Sequence, residues 1–369
     1  MNDKKIKVLH ILPSLSSGGA ERLVLDLLSN FSANNFSVEL LLFKSKGFFY
    51  DEARSKGIKV IVFKKRFKLD IINFFNIYKR IRKLSPDIVH THLGADIYGS
   101  LAAKLAGVKF VVSTEHNVAK NNGGAYNFFR KILSCFFNKI IAVSSAVKND
   151  LINNFKLKEG KVILIHNGVD VNKFKIKKDV NNSSEVVFGS VGRLVPQKNY
   201  SLLIKALAQV KNKNFKCLIA GEGYLKNDLK KEINEFGLED RIELVGLKHN
   251  IADFLNQLDF FVLPSRWEGL GIVLLEAGLL RLPVLASKID GIIDIISNNE
   301  TGKFFENDNL IDLVDKLNYF LDPQNQDELR AWGDGLYNLV VENFSIQKIS
   351  KEYEKLYLNL INNYENTSS

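Results

Sequence analysis

Short apolar runs, each bounded by turn residues and followed by a longer segment of helical period, recur along this 369-residue chain. "KIKVLHIL" (5–12) reads as a buried strand, and "GGAERLVLDLLSNF" after it carries apolar residues at 23, 24, 27, 28 and 31, the stripe of a helix. "SVELLLF", "KVIVF", "DIVHTH", "KFVVSTEH", "KIIAVS" and "KVILIHN" continue the series as strands. Alternation of this kind predicts βαβ units wound into a parallel sheet. The pattern lapses at the Asn/Ser-rich "KFKIKKDVNNSSE" (173–185) and then restarts with "EVVFGSVGRL", "FKCLIAGEG", "IELVG", "DFFVLPS" and "LPVLAS". The expectation is an α/β chain of two doubly wound Rossmann-type domains facing across a cleft, at 1–170 and 171–345, with a linker near 167–185. A final helix in "SIQKISKEYEKLYLNLINNY", within a closing segment 346–369, is free to return to the first domain.

Composition narrows the classes. With 46% hydrophobic and 25% charged residues the chain has the make-up of a globular protein with sizeable cores. Its excess of basic residues is uneven: residues 1–175 hold 29 basic and 13 acidic side chains, against 22 and 28 in the remainder. A half at +16 joined to a half at −6 points to contact of the first half alone with a phosphate, a polyanion or an anionic membrane surface. Cys135 and Cys217 read as reduced core residues, with no disulfide frame and no metal spacing. The opening "MNDKKIKVLHILPSL" lacks the apolar length of a secretory signal, and no run approaches a membrane span. A cytoplasmic location is expected.

Chemistry-bearing residues cluster at strand ends. Gly18 and Gly19 in "LPSLSSGGAERLV" stand between the first strand and its helix, where backbone N–H groups can meet an anion; a tight β–α turn is the plainer reading, and the dinucleotide fingerprint is absent. Gly192, Arg193 and Lys198 in "FGSVGRLVPQKNY" offer a planar fork and a point charge suited to a diphosphate, or else a solvated loop. In "SRWEGLGIVLLEAGLLRLPVLAS" (265–287), Glu268 and Glu276 flank an apolar segment in which ionised carboxylates need partners. Gly269, Leu270 and Gly271 can present N–H groups to a phosphate. Glu276, placed in the first turn or so of the helix starting near Ile272, can accept from the vicinal hydroxyls of a ribose. Glu268 would face the other end of the same ligand. His90 and His92 share a strand face, but without a third ligand at sensible spacing they do not make a metal site.

Glu268 and Glu276, with seven residues between them, resemble the Glu-x7-Glu signature of retaining family 4 glycosyltransferases of the GT-B fold. "SSGGAE", "DIVHTH", "STEHN", "IHNGVD", "GSVGRLVPQKN" and "FSIQKISKEYEKLY" extend the resemblance over nearly the whole chain in order. It implies a nucleotide-sugar donor whose diphosphate is gripped by Arg193 and Lys198, helped by the backbone at Gly269, Leu270 and Gly271 and close to Gly192. Glu276 would bind the ribose, Glu268 the transferred sugar, and backbone near Leu247 in "ELVGLKHN" the base. Gly18 and Gly19 would line the reaction centre, His116 would reach the sugar, and His92 and Asn117 would lie on the acceptor side. Anomeric configuration is expected to be retained. No Asp-x-Asp loop is present, and no metal or other cofactor is expected. One departure stands out: "EAGLLRLPV" has Leu280 and Arg281 where a small residue and a glycine are common.

The reading that follows is transfer of a hexose or N-acetylhexosamine, with UDP the expected carrier, to a glycan or lipid-linked acceptor in bacterial capsule, lipopolysaccharide or related polysaccharide synthesis. A sugar-nucleotide epimerase of the same fold and a non-catalytic nucleotide-sugar-binding partner are the alternatives, and no nucleic-acid module is recognisable. Two basic, aromatic-rich segments, 64–84 and 126–139, suit peripheral docking on the anionic inner face of the plasma membrane. Core-packed helices with solvated cationic faces would look the same.

Overall fold

The computed structural model describes residues 5–64, 70–118, 131–177 and 185–368. The chain divides into two compact units, one of residues 1–168 with 346–369 and one of residues 169–345.

In the first unit seven strands, β1 (Ile6–Leu12), β2 (Phe36–Leu42), β3 (Lys59–Val62), β4 (Ile88–His92), β5 (Phe110–Glu115), β6 (Lys139–Ala142) and β7 (Val162–Leu164), form a parallel sheet in the order β3-β2-β1-β4-β5-β6-β7. Both β2 and β4 pair with β1, so the winding reverses between β1 and β4. At such a reversal the connections leave to opposite faces and a crevice opens at the carboxyl ends of the strands. Helix Gly19–Asn30 buries Leu23, Val24, Leu27 and Leu28, the stripe expected from its period. The last helix, Ile346–Ser368, packs Ile346, Ile349, Tyr353, Leu356 and Tyr357 into the core of this unit beside Phe31 and Phe36.

The second unit carries β8 (Val186–Val191), β9 (Phe215–Ala220), β10 (Ile242–Gly246), β11 (Phe260–Leu263), β12 (Val284–Lys288) and β13 (Lys303–Glu306) in the order β10-β9-β8-β11-β12-β13, again with adjacent strands parallel. Its reversal lies between β8 and β11. Strand β13, "KFFE", is too short and too charged to be read as a strand from its pattern; pairing with β12 makes it one.

Two details differ from expectation. Cys217 is buried, but Cys135 is exposed, because its side chain faces outward from the short helical end that buries Leu133 and Ser134. Glu276 is the fifth residue of helix Ile272–Leu279 and so falls in the second turn. The unusual "LLRLPV" keeps the helix stop a glycine would give. Arg281 takes φ +56°, its N–H donates to the Gly278 carbonyl at 2.9 Å, and Leu282 N–H donates to Ala277 at 3.1 Å, the paired bonds of a Schellman cap. The left-handed backbone costs an arginine about 1–2 kcal/mol. Its guanidinium offsets part of that by lying 4.0 Å from the Tyr337 ring centre and pairing with Asp334.

Candidate active site

The reversal in the second unit places two loops side by side. Residues 192–199 leave β8 and residues 264–271 leave β11, and hydrogen bonds stitch them together. Arg266 N–H donates to the Gln197 carbonyl at 2.8 Å, and the Gln197 amide donates to the Trp267 carbonyl at 2.9 Å. The Lys198 ammonium donates to Glu268 Oε1 at 2.6 Å, and the Ser265 hydroxyl donates to the same oxygen at 2.6 Å. Glu268 is 8% exposed and Lys198 14%, so the carboxylate is buried with its charge compensated, as burial requires. Lys198 can reach it because of Gly192: a Cβ there would stand 2.7 Å from Lys198 Cε and 2.9 Å from the Tyr200 hydroxyl. Gly291 has the matching role under the other loop, where a Cβ would stand 2.3 Å from the Glu268 carbonyl oxygen.

Around this pair lie groups without internal partners. Arg193 is exposed, and its guanidinium has no hydrogen-bonding partner among the described residues. The N–H groups of Gly269, Leu270 and Gly271 likewise have no carbonyl acceptor among the described residues, and they open helix Ile272–Leu279. A fork of five donors and three amides at a helix N-terminus, carried on two loops bonded to each other, are groups suited to binding an anion. Glu276 lies half-buried on that helix, and Leu247 is 47% exposed just past β10. The structure thus brings Gly192, Arg193, Lys198, Glu268 and the 269–271 amides together at the sheet reversal. Lys198 and Glu268, which sequence reasoning placed on different parts of a ligand, are bonded to each other.

In the first unit Gly18 is the N-cap and Gly19 the first residue of helix Gly19–Asn30, with Ser16 donating to Glu21 across the turn. Asn117 is exposed beyond β5. His116 and His92 are buried and in contact, His92 Nδ1 lying 3.3 Å from His116 Nε2. They belong to a larger cluster. His10 on β1 sits in register with His90 on β4, and its Nδ1 is 3.0 Å from His92 Nε2. His90 is held at 2.6 Å by the Tyr357 hydroxyl and at 2.7 Å by Thr114 Oγ1. Burial pushes His10 down to about 3 and His116 to about 4. Burial, and then the neighbouring imidazoles, push His90 and His92 well below the ordinary histidine range. All four rings are therefore neutral at neutral pH.

His10 is the residue that sequence reasoning missed. A histidine inside the apolar run "KVLHIL" was the available signal, and only the β1–β4 register shows what it meets. It is also the third ligand that a metal reading of His90 and His92 lacked: the three offer nitrogens within 4.8 Å of one another. Their hydrogen bonds argue otherwise. Both nitrogens of His90 are engaged by hydroxyls, and His10 and His92 bond to each other, so a metal would have to displace one of the His90 bonds and, to reach His92 Nε2, the His10–His92 bond as well.

Residues 17–173 match the family described as Glycosyltransferase Family 4, and residues 171–335 match that described as Glycosyl transferases group 1. An uncharacterised glycosyltransferase of Methanocaldococcus jannaschii is 31% identical over 70% of this chain and 72% of its own length. The Escherichia coli UDP-Gal:α-D-GlcNAc-diphosphoundecaprenol α-1,3-galactosyltransferase is 29% identical over 97% of this chain and 98% of its own. Among solved structures, Anabaena HepE in complex with UDP and glucose superposes with a TM-score of 0.85, at 20% identity, over 96% of this chain and 100% of that one.

Proposed function

Since the chain belongs to the family 4, group 1 glycosyltransferases of the GT-B fold, we propose that it moves a hexose or N-acetylhexosamine from a UDP-sugar to a glycan or lipid-linked saccharide, with retention of configuration. The observation that carries the donor assignment is the set at the second sheet reversal: the Lys198–Glu268 pair, with Arg193 and the three amides opening helix Ile272–Leu279 all without partners among the described residues. Cleaving the bond from the anomeric carbon to phosphate leaves positive charge on the sugar and puts the electron pair on the diphosphate. Arg193, Lys198 and the helix N-terminus stabilise that leaving charge, the electrostatic contribution that dominates in such reactions. The acceptor hydroxyl attacks the same face of the sugar, and its proton passes to the departing phosphate oxygen. Glu276 binds the ribose hydroxyls, backbone near Leu247 binds the base, and Glu268 contacts the transferred sugar. His116, Gly18 and Gly19 act at the sugar, and His92 and Asn117 on the acceptor side. Glu268 makes a poor covalent nucleophile, because Lys198 and Ser265 hold its Oε1 at 2.6 Å each and the Gln197 amide donates to its Oε2 at 3.4 Å.

The relatives support the substrate class. The Escherichia coli protein is named for a lipid-diphosphate-linked acceptor, as is a Campylobacter jejuni N-acetylgalactosaminyltransferase that is 29% identical over 80% of this chain. A lipid-linked acceptor would require approach to a membrane, and no described helix is long and apolar enough to cross one. Peripheral docking through helix Ile71–Leu84 fits. Ile71, Ile72 and Phe75 are 68%, 75% and 52% exposed at its start, and Lys79, Arg82 and Lys83 follow on the exposed surface of the same helix. Residues 65–69 and 126–130 of the two basic segments lie outside the described residues. The proposed setting is the cytoplasmic face of the membrane.

Thermal shift with UDP-, GDP-, ADP- and CMP-linked sugars tests the donor. A ligand at 100 times its Kd stabilises by about 2.7 kcal/mol, several degrees in Tm. A shift with one nucleotide sugar that disappears in Glu276→Ala fixes the donor. No shift with any of them moves the non-catalytic reading ahead.

A further inference from the structure

The three imidazoles of His10, His92 and His116 form an unbranched chain: His10 Nδ1 meets His92 Nε2 at 3.0 Å, and His92 Nδ1 meets His116 Nε2 at 3.3 Å. The two outer atoms, His10 Nε2 and His116 Nδ1, are buried and have no partner among the described residues. Each neutral ring holds one N–H and one bare nitrogen. Two hydrogen bonds in series therefore fix all three rings at once, since every proton in the chain must point the same way. If the protons point toward His10, a buried N–H is stranded at Nε2 among the rings of Phe31, His90 and Tyr357. If they point toward His116, a lone pair is left at His10 and the N–H stands at His116 Nδ1 instead. Either way one buried N–H lacks an acceptor among the described residues, but His10 is fully enclosed in the core, whereas His116 lies just past the end of β5 beside exposed Asn117, where a bound ligand can accept from it.

We propose that His10 and His92 are positioning residues that set the tautomer of His116, holding its proton on Nδ1 so that it stands ready as a neutral hydrogen-bond donor. Resting on the reading of His116 as the residue that meets the donor sugar, this makes it a donor to a sugar hydroxyl oxygen, and the choice is made two rings away on β1. The depressed titration of all four rings keeps the chain neutral, which is the condition under which its direction matters. A charged His116 would carry protons on both nitrogens and would need no relay.

Long-range 15N–1H correlation NMR on the full-length protein with 15N-labelled histidine reads each tautomer directly at pH 7.5, and His116→Gln identifies the His116 signals by their loss. The expected result is Nδ1–H on His10, His92 and His116. Nε2–H on His116 in the wild-type protein overturns the proposal without any further variant. In His10→Phe the donor to His92 Nε2 is gone, so His116 should become a mixture of tautomers, and transfer should fall roughly tenfold in kcat with little change in KM. His10→Asn, whose side-chain amide can donate where Nδ1 did, should restore both. A His116 tautomer unchanged in His10→Phe refutes the coupling. A wild-type protein that shows the Nδ1–H chain but transfers no sugar supports the relay and removes the donor-sugar reading instead.

Discussion

The neutral histidine cluster makes the first unit acid-sensitive in a range where most proteins are at their most stable. His10, His90, His92 and His116 stay unprotonated in the folded state far below pH 6.5, while in the unfolded chain each returns to about 6.5. Their contribution to stability is thus fully present above pH 6.5. It is lost as the pH falls from 6.5 toward the folded values, about 3 and 4 for His10 and His116, because only the unfolded chain takes up protons there. At pH 5.5 each unfolded ring is about nine-tenths protonated, so four rings bind about 3.6 protons and the slope is about 5 kcal/mol per pH unit. The accumulated loss between pH 7.5 and 5.5 is about 5–6 kcal/mol, comparable to the whole stability of many domains. Urea unfolding followed by hydrogen exchange on peptides spanning β1, β4 and β5 measures the slope in the first unit alone. His10→Phe should lower it by about one proton, a quarter of the total. Uptake of one proton or fewer, or a slope unchanged in His10→Phe, would refute the claim that the cluster is buried neutral.

Removing single groups at the second reversal should separate binding from turnover. Arg193→Ala should slow transfer by roughly 10²-fold, the cost of one preorganised charge donor; an effect confined to KM would move Arg193 out of the transition state. Glu276→Ala should weaken nucleotide-sugar affinity by about 1.5–3 kcal/mol, or tens-fold, measured by calorimetry. Gly192→Ala should push Lys198 off Glu268 and cut kcat with the fold intact by circular dichroism, since the new Cβ meets the Lys198 stem at 2.7 Å. Transfer should persist in excess EDTA, and loss of activity reversed by added divalent metal would contradict the assignment of the leaving charge to side chains. Ile72→Ser with Phe75→Ser should abolish sedimentation with anionic vesicles if helix Ile71–Leu84 docks there, and unchanged sedimentation excludes that face.

The pattern of apolar runs was enough to read twelve of the thirteen strands among the described residues, because parallel strands covered on both faces are mostly apolar. It was not enough for β13, whose lysine and glutamate ends hide a strand that exists only by pairing with β12. Arg281 shows the converse case. A residue poorly suited to φ +56° still ends its helix on schedule, because two backbone bonds and contacts with Tyr337 and Asp334 outweigh the strain.

At the candidate site, residue types were legible and partnerships were not. Arg193, Lys198, Glu268 and Glu276 announce themselves by charge in apolar or glycine-rich surroundings. That Lys198 neutralises Glu268 follows only from β8 lying beside β11, seventy positions of sequence brought to 2.6 Å. The consequence for the chemistry is an asymmetry between two cations that sequence treats alike. Lys198 enters any reaction with its charge already balanced and its position fixed, whereas Arg193 is exposed and has no bonded counter-ion among the described residues. On the proposed donor assignment, a diphosphate would share Lys198 with Glu268 but could take both arms of Arg193, and the bidentate bond is the stronger of the two. The first unit solves the opposite problem, keeping four ionisable rings uncharged by burying them against one another. The second unit therefore presents a cation free to pair with an anion, and the first keeps its imidazoles as neutral hydrogen-bonding groups.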